Sequence, residues 1–203
     1  MRAARDLLSA ARAELAGVEE RLRSHPALDS FPPERLRRFA GEQFTILSSD
    51  RRSFAHLAAR FPEPPAGDLF LDLAHGEGVA LERLGQLGFD YLDRHEPHPA
   101  AHAYTAYVAW LALNGSRAAV ALAFAANLAA WGESCGRLAA LLRNEVDVSF
   151  FEFFAEPPAD FEDRLLEVVE QGLGEGDSPE RARVAARLLQ AYELQFWDAL
   201  VQR

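Results

Sequence analysis

The last predicted helix carries one acidic side chain on a face that is otherwise apolar. At helical spacing, one stripe of this helix holds Leu189, Glu193, Phe196 and Leu200. Trp197 lies one turn beyond Glu193. A carboxylate on such a face must be paired, hydrogen-bonded or shifted in pKa, because burying an uncompensated charge is costly. We therefore predict that Glu193 is a catalytic residue, the alternative being a structural carboxylate satisfied by a tyrosine or a backbone donor.

Polar side chains also interrupt the apolar faces of three other predicted helices. The predicted inward-facing set is Gln43, Asp50, Tyr104 and Glu133. Carboxyl groups in different environments can divide acid and base roles, and a tyrosine can donate a hydrogen bond to a developing charge. Glu133 joins Glu193 as a predicted catalytic residue, and the other three are predicted to bind a ligand. The alternative is a set of core polar groups that are satisfied separately.

An apolar stripe on the fifth predicted helix contains both Trp131 and Cys135. We predict that Trp131 contacts the ligand. We predict that Cys135 only fills the core, because buried cysteines commonly behave as small hydrophobic residues. In addition, no histidine lies near Cys135 in the sequence to activate its thiol.

Histidines gather in one short segment, at His95, His98 and His102. Prolines place the first two in a turn, and no second cluster of metal ligands accompanies them, so the segment is interpreted as an exposed loop. His75 and Glu77 in the third predicted helix could contribute to a site, but we interpret them as neighbours of a packing glycine. We therefore predict no metal site and no cofactor.

The composition is typical of a soluble protein in a reducing compartment. The net charge is −10, whereas a nucleic-acid-binding protein needs a positive surface to neutralise phosphates. Cys135 is the only cysteine, which excludes an intrachain disulfide. The N-terminal segment is amphipathic and charged, unlike a signal peptide, and the longest apolar run is too short and too rich in alanine for a membrane span. We expect a cytoplasmic protein that binds neither nucleic acid nor membrane.

Apolar residues recur with a period near 3.6 along most of the chain, which predicts an all-α protein of about eight helices. The predicted helices cover residues 2–24, 34–60, 67–94, 99–113, 116–144, 149–156, 159–173 and the segment that opens at Ser178. Short connections predict that successive helices pack antiparallel. The length predicts a single domain over residues 1–203.

Three segments carry a resemblance to a known family. HPALDSFPPERLRRFAGEQFTIL places a His-Pro step before a helix, AYTAYVAWLA begins with Ala-Tyr-Thr, and YELQFWDAL places a glutamate before Phe-Trp. In this order they resemble the TenA family, within the heme-oxygenase-like fold. The resemblance implies a helical bundle with a central pocket, assembled as a homodimer or homotetramer. Typical members are thiaminase II enzymes, which hydrolyse aminopyrimidine derivatives in thiamin salvage, so the implied ligand is a small heteroaromatic compound.

When the family's site residues are carried over position by position, some are present in this chain and others are replaced. The family's final-helix glutamate falls on Glu193, and the tyrosine of its Ala-Tyr-Thr helix falls on Tyr104. Its second-helix aspartate falls on Gln43, and a nearby tyrosine falls on Ile46. Its nucleophilic cysteine, two residues before a tryptophan, falls on Ala129. Because alanine cannot form a covalent intermediate, the chain resembles a divergent member that lacks the cysteine nucleophile.

Three functions remain open at this point. The preferred one is a hydrolase in which Glu133 and Glu193 activate a water molecule without covalent catalysis. The second is a binding protein that has lost catalysis, which the missing cysteine and Gln43 favour. The third is a metal-dependent oxidase of the heme-oxygenase-like fold, which is disfavoured because the last helix offers no histidine beside Glu193.

Overall fold

The computed structural model describes residues 1–90 and 92–202, and all regular structure in that part of the chain is helical. The α-helices are α1 (Arg2–Arg23), α2 (Pro33–Arg60), α3 (Ala66–Gly85), α4 (Pro99–Asn114), α5 (Arg117–Leu142), α6 (Ser149–Ala155), α7 (Phe161–Gly174) and α8 (Pro179–Val201). Two 3₁₀-helices cover Pro26–Leu28 and Leu92–Arg94. The prediction of an all-α bundle of about eight helices is confirmed. The predicted domain of residues 1–203 extends beyond the described part at residues 91 and 203.

Side chains that cap backbone N–H groups mark the starts of two helices that matter for the site. Ser178 precedes Pro179 and accepts a hydrogen bond from the N–H of Arg181 at the start of α8. Ser116 accepts from the N–H of Ala119 in the same way at the start of α5. These caps explain why both predicted starts lie within one residue of the observed ones.

The third helix is shorter than predicted. The prediction extended it over residues 67–94, but α3 ends at Gly85 and Gly88 has a φ of +74°. This left-handed conformation suits glycine and does not continue an α-helix. A separate 3₁₀ turn follows at Leu92–Arg94, and Tyr91 of the predicted span lies outside the described residues.

Helix α5 runs through the centre of the bundle and packs against α6, α7 and α8. Its alanines are buried on almost every side, as Ala121, Ala125 and Ala126 show with no exposed surface. Within the described chain it is the one helix long and apolar enough by composition to span a membrane, but 67% of its apolar window is buried inside the bundle. Such burial is typical of a core helix.

Aromatic rings fill one end of the bundle around Phe39. The centroid of its ring lies 5.4 Å from that of Phe151, 5.9 Å from that of Phe196 and 6.2 Å from that of Trp197. Trp131 stacks on the same ring with an interplanar angle of 10°. Each aromatic pair contributes about 0.5–1.5 kcal/mol beyond the burial of its area. The cluster therefore fixes the rotation of α8 and α5 about their axes.

Candidate active site

A cavity of about 120 Å³ lies inside the bundle, and each helix from α2 to α8 contributes to its wall. An engineered cavity of roughly 150 Å³ holds benzene, so this one suits a single six-membered ring. The apolar and aromatic wall residues are Ile46, Leu47, Phe54, Leu73, Phe124, Leu128, Trp131, Phe154, Phe161 and Phe196. The polar wall residues are Gln43, Asp50, Glu77, Tyr104, Asn127 and Glu193.

The structure brings five of the predicted site residues together at this cavity. They come from four helices and are Gln43, Asp50, Tyr104, Trp131 and Glu193. Gln43 and Asp50 are each 3% exposed, and Glu193 is 2% exposed. The inward faces inferred from helical spacing therefore meet in one place, while the roles of the five residues stay predictions.

Glu133 lies outside the cavity. Its side chain is 54% exposed, and its Oε2 accepts a hydrogen bond from Nε of Arg23 at 2.9 Å. The prediction that Glu133 points into the bundle is therefore wrong. The error arises because α5 is apolar and small on nearly every face, so its sequence gives no clear helical phase. Ala129, one turn earlier on the same side, is also exposed.

The two oxygens of Glu193 differ in their surroundings. Oε1 accepts a hydrogen bond from Nε1 of Trp197 at 3.3 Å, one turn along α8. Oε2 is buried and has no hydrogen-bond partner among the described residues. Burial raises the pKa of Glu193 to about 8, and hydrogen bonds from Trp197 and Asn127 oppose that rise by favouring the charged form. Glu193 is thus an acid–base group in the cavity wall, with one oxygen that has no partner in the described chain.

The cavity wall also holds two acids on the packed helices α2 and α3, Asp50 and Glu77. Burial raises the pKa of Glu77 to about 8, and it raises the pKa of Asp50 well above its usual range, with the charge of Glu77 adding to the latter shift. Oδ1 of Asp50 and Oε2 of Glu77 are both buried without a hydrogen-bond partner in the described part of the chain. Both acids therefore bind protons more readily than ordinary carboxyl groups, while two of the oxygens of the pair remain unsatisfied.

Tyr104 lines the same cavity as these three acids. Burial raises the pKa of its phenol well above the usual value, and the charges of Asp50, Glu193 and Glu77 add to the rise. The phenol therefore remains protonated at neutral pH. It can donate a hydrogen bond to a ligand that occupies the cavity.

Two polar residues of the cavity were not predicted from the sequence. Glu77, interpreted as the neighbour of a packing glycine, lines the cavity instead. Asn127 lies one turn before Trp131 on α5, and its Oδ1 is buried without a partner among the described residues. Its spacing from Trp131 is the signal that could have identified it. The position expected to match the family's cysteine, Ala129, faces outward, whereas Asn127 faces the cavity.

The single cysteine is part of the core and not of the cavity wall. Cys135 is completely buried, and burial raises the pKa of its thiol, with the charge of Glu193 adding to the rise. A neutral, inaccessible thiol is not a nucleophile. The prediction that Cys135 fills the core is confirmed.

Two residues of the histidine segment, His95 and His98, contact α2. Nε2 of His95 lies 2.9 Å from Oε1 of Glu42, and the backbone N–H of His98 donates to the same oxygen at 2.8 Å. His95 and His98 are half-buried, whereas Glu96 and His102 are exposed, so the interpretation of this segment as an exposed loop is correct only in part. Across the described residues, no set of three His, Cys, Asp or Glu side chains is placed to hold a metal ion.

A sequence match decides the family. The model of the TENA/THI-4/PQQC family matches residues 30–203, a range that includes the whole cavity wall. The chain belongs to this family. The resemblance to TenA proteins inferred from three sequence segments is therefore confirmed.

Solved structures show the same fold for this TenA-family protein. It is similar to a TenA homologue from Pyrococcus furiosus, with a TM-score of 0.75, 20% identity, and coverage of 96% of this chain and 99% of that one. For a TenA homologue from P. horikoshii OT3 the TM-score is 0.76 and the identity 17%, with coverage of 96% of this chain and 97% of that one. For a protein described as a TenA family transcription regulator from Silicibacter sp. TM1040 the TM-score is 0.77 and the identity 14%, with coverage of 97% of each chain. No curated protein matches the sequence.

Proposed function

We propose that this TenA-family protein binds a small amino-bearing heteroaromatic compound in its cavity and hydrolyses it without a covalent intermediate. Family membership supports a thiamin-related function in broad terms, and an aminopyrimidine is the substrate class we favour. One observation carries the proposal. Buried oxygens without hydrogen-bond partners in the described chain converge on the cavity from Asp50, Glu77, Asn127 and Glu193.

These oxygens support a ligand that donates hydrogen bonds. An unsatisfied buried polar group costs about 1–3 kcal/mol, so a ligand that supplies the missing donors is favoured by each bond it makes. Exocyclic amino groups on a flat ring supply donors in the ring plane. The aromatic and apolar wall supports binding of the ring itself.

The chemistry assigned to Glu193 uses one carboxyl first as a base and then as an acid. In its ionised form Glu193 takes a proton from a water molecule, whose oxygen attacks the carbon that bears the leaving nitrogen. The carbon–nitrogen bond breaks, and the same proton passes from Glu193 to the leaving amine. A pKa of about 8 makes Glu193 a stronger base than an ordinary carboxylate and keeps it able to return the proton near neutral pH.

Two other residues support this step. Asn127 lies beside the carboxyl of Glu193 and stabilises its charged form. The protonated phenol of Tyr104 can donate to negative charge that develops on the substrate. Neither role requires a thiol, in keeping with the burial of Cys135 away from the cavity.

Turnover of aminopyrimidines with an N-linked substituent tests the proposal. Glu193→Gln should reduce kcat at least 100-fold, the scale of general acid–base catalysis, while an aminopyrimidine still raises the melting temperature of the variant. Glu133→Gln is the matched control and should retain wild-type activity, because Glu133 faces solvent. Full activity of Glu193→Gln, or failure of every aminopyrimidine to bind, would contradict the proposal.

A binding protein without catalysis is the second candidate. The observation that favours it is the absence of a thiol from the cavity wall in the described chain. Binding of an aminopyrimidine with no turnover in the wild-type protein, at any pH between 6 and 9, would establish it.

The proposal includes a cytoplasmic homodimer or homotetramer. The net charge of −10 and the single cysteine support the location. Exposed apolar side chains on α4 support self-association, since Trp110 is 53% and Leu113 is 64% exposed.

A further inference from the structure

We infer that Asp50 and Glu77 form a subsite for a planar cation, so that the compound bound here carries a protonated amidine-type group. The inference rests on the proposed function, because it names a chemical property of the ligand in the same cavity. It concerns the part of the cavity wall formed by the packed helices α2 and α3, whereas Glu193 lies on α8.

Asp50 and Glu77 each have a carboxyl oxygen that no hydrogen-bond donor of the described chain reaches. Asp50 is 3% exposed and lines the cavity, and its Oδ1 has no hydrogen-bond partner in the described chain. Oε2 of Glu77 is likewise buried and unpartnered. Because both oxygens are unsatisfied, they do not hydrogen-bond to each other. A structural contact between the two side chains therefore does not account for these oxygens.

The ionisable groups of the cavity wall are all acidic apart from Tyr104 among the described residues. Among the described residues that line the cavity, none is Arg or His, while three are carboxylic acids. Burial and the repulsion between the two acids favour their protonated forms, and a cation beside them favours the charged forms instead, so binding of the cation displaces a proton. A ligand cation would thus be bound more tightly than a neutral group of the same shape.

A planar cation fits better than a metal ion. The described residues contain no set of three side chains able to hold a metal, and the walls next to the pair are apolar. Phe54 follows Asp50 by one turn of α2, and Leu73 precedes Glu77 by one turn of α3, so both flank the pair in the cavity. An amidinium group presents two N–H donors in a flat fork that matches carboxyl oxygens, while its ring contacts the apolar walls.

The test compares benzamidine with benzamide, which have nearly the same shape and differ in charge. Isothermal titration at pH 7 should show that the wild-type protein binds benzamidine at least tenfold more tightly than benzamide. The preference should disappear in Asp50→Asn/Glu77→Gln and persist in Glu193→Gln. Acetamidine and acetamide repeat the comparison without the ring, so that ligand size alone does not decide the result.

Equal affinity for the charged and neutral probes, no binding of either amidine, or a preference that survives in the double variant would overturn the inference. Circular dichroism and thermal unfolding establish that the variant is folded. If the double variant does not fold, Glu77→Gln replaces it, since Glu77 is only partly buried and should lose most of the preference alone. Amidine selectivity without aminopyrimidine turnover would refute the proposed hydrolysis and support the subsite. Aminopyrimidine turnover without amidine selectivity would refute the subsite and support the hydrolysis.

Discussion

Trp197 donates a hydrogen bond from Nε1 to Oε1 of Glu193 at 3.3 Å, and so leaves Oε2 as the oxygen without a partner in the described chain. The donor stabilises the charged carboxylate and opposes the rise in its pKa caused by burial. Trp197 is itself completely buried and packed against Phe39. The contact therefore links the aromatic core to the acid–base properties of the cavity.

Trp197→Phe should shift the pH dependence of turnover. Activity that requires ionised Glu193 rises with pH through its pKa of about 8. Removing the donor raises that pKa further, so the rising limb should move to higher pH. The profile of kcat/KM between pH 6 and 10 measures the shift. An unchanged or downward-shifted limb would show that Glu193 is not the group that titrates.

The stability of the protein should fall as pH rises from about 5 to 8. Burial raises the folded-state pKa of Glu193 from 4.5 to about 8, so the folded state binds more protons than the unfolded state in this range. The free energy of unfolding therefore decreases by about 4 kcal/mol for one such group. Urea unfolding at pH 5 and pH 8 measures the change.

Glu193→Gln isolates the contribution of that group to the pH dependence. The variant should be more stable than the wild type at pH 8, and its stability should vary less with pH. If the wild type and the variant show the same slope, the carboxyl of Glu193 is not protonated preferentially in the folded state.

Cysteine substitutions on α5 should distinguish its two faces. Asn127→Cys places a thiol in the cavity, whereas Ala129→Cys places one at the surface. A bound aminopyrimidine should slow the reaction of the first thiol with iodoacetamide and leave the second unaffected. Equal protection, or protection of Ala129→Cys alone, would contradict the helical phase described for α5.

Two glycine substitutions should change stability in opposite directions. A Cβ at Gly41 would lie 2.3 Å from Cγ of His95, whereas a Cβ at Gly17 would meet no atom within 4 Å. Gly41→Ala should lower the free energy of unfolding by about 1–3 kcal/mol through overpacking. Gly17→Ala should raise it by up to about 1 kcal/mol, because alanine favours the helix. Chemical denaturation of both variants checks the pair, and a stabilised Gly41→Ala would contradict the close packing of His95 on α2.

Oligomeric state should respond to a charge on α4. Trp110 is 53% exposed and its neighbour Tyr107 stacks on it, with ring centroids 5.9 Å apart. Trp110→Glu should shift the protein toward a smaller species in sedimentation velocity if this face joins two subunits. Leu71→Glu, at a residue of α3 that is 57% exposed, is the control and should leave the species unchanged. A monomeric wild-type protein would refute the predicted homo-oligomer.

The sequence predicted the site where helices have two distinct faces and failed where they do not. In α8 the stripe of Leu189, Phe196 and Leu200 defines one inner face, and Glu193 stands out on it. In α5 alanines cover nearly every side, so spacing assigned Glu133 to the interior and overlooked Asn127. Glu77 was missed for another reason. Its neighbours on α3 include exposed residues, and only the packing of α2 against α3 shows that its carboxyl is enclosed with Asp50.

The cavity wall draws on residues from Gln43 to Phe196, so no short stretch of the chain contains a usable part of it. During synthesis Glu193 is among the last wall residues to leave the ribosome. Until α8 docks against α5, the nascent chain lacks one wall of the cavity and the acid that this wall carries. A small molecule therefore cannot guide the folding of this protein, and can only hold together a bundle that has already closed.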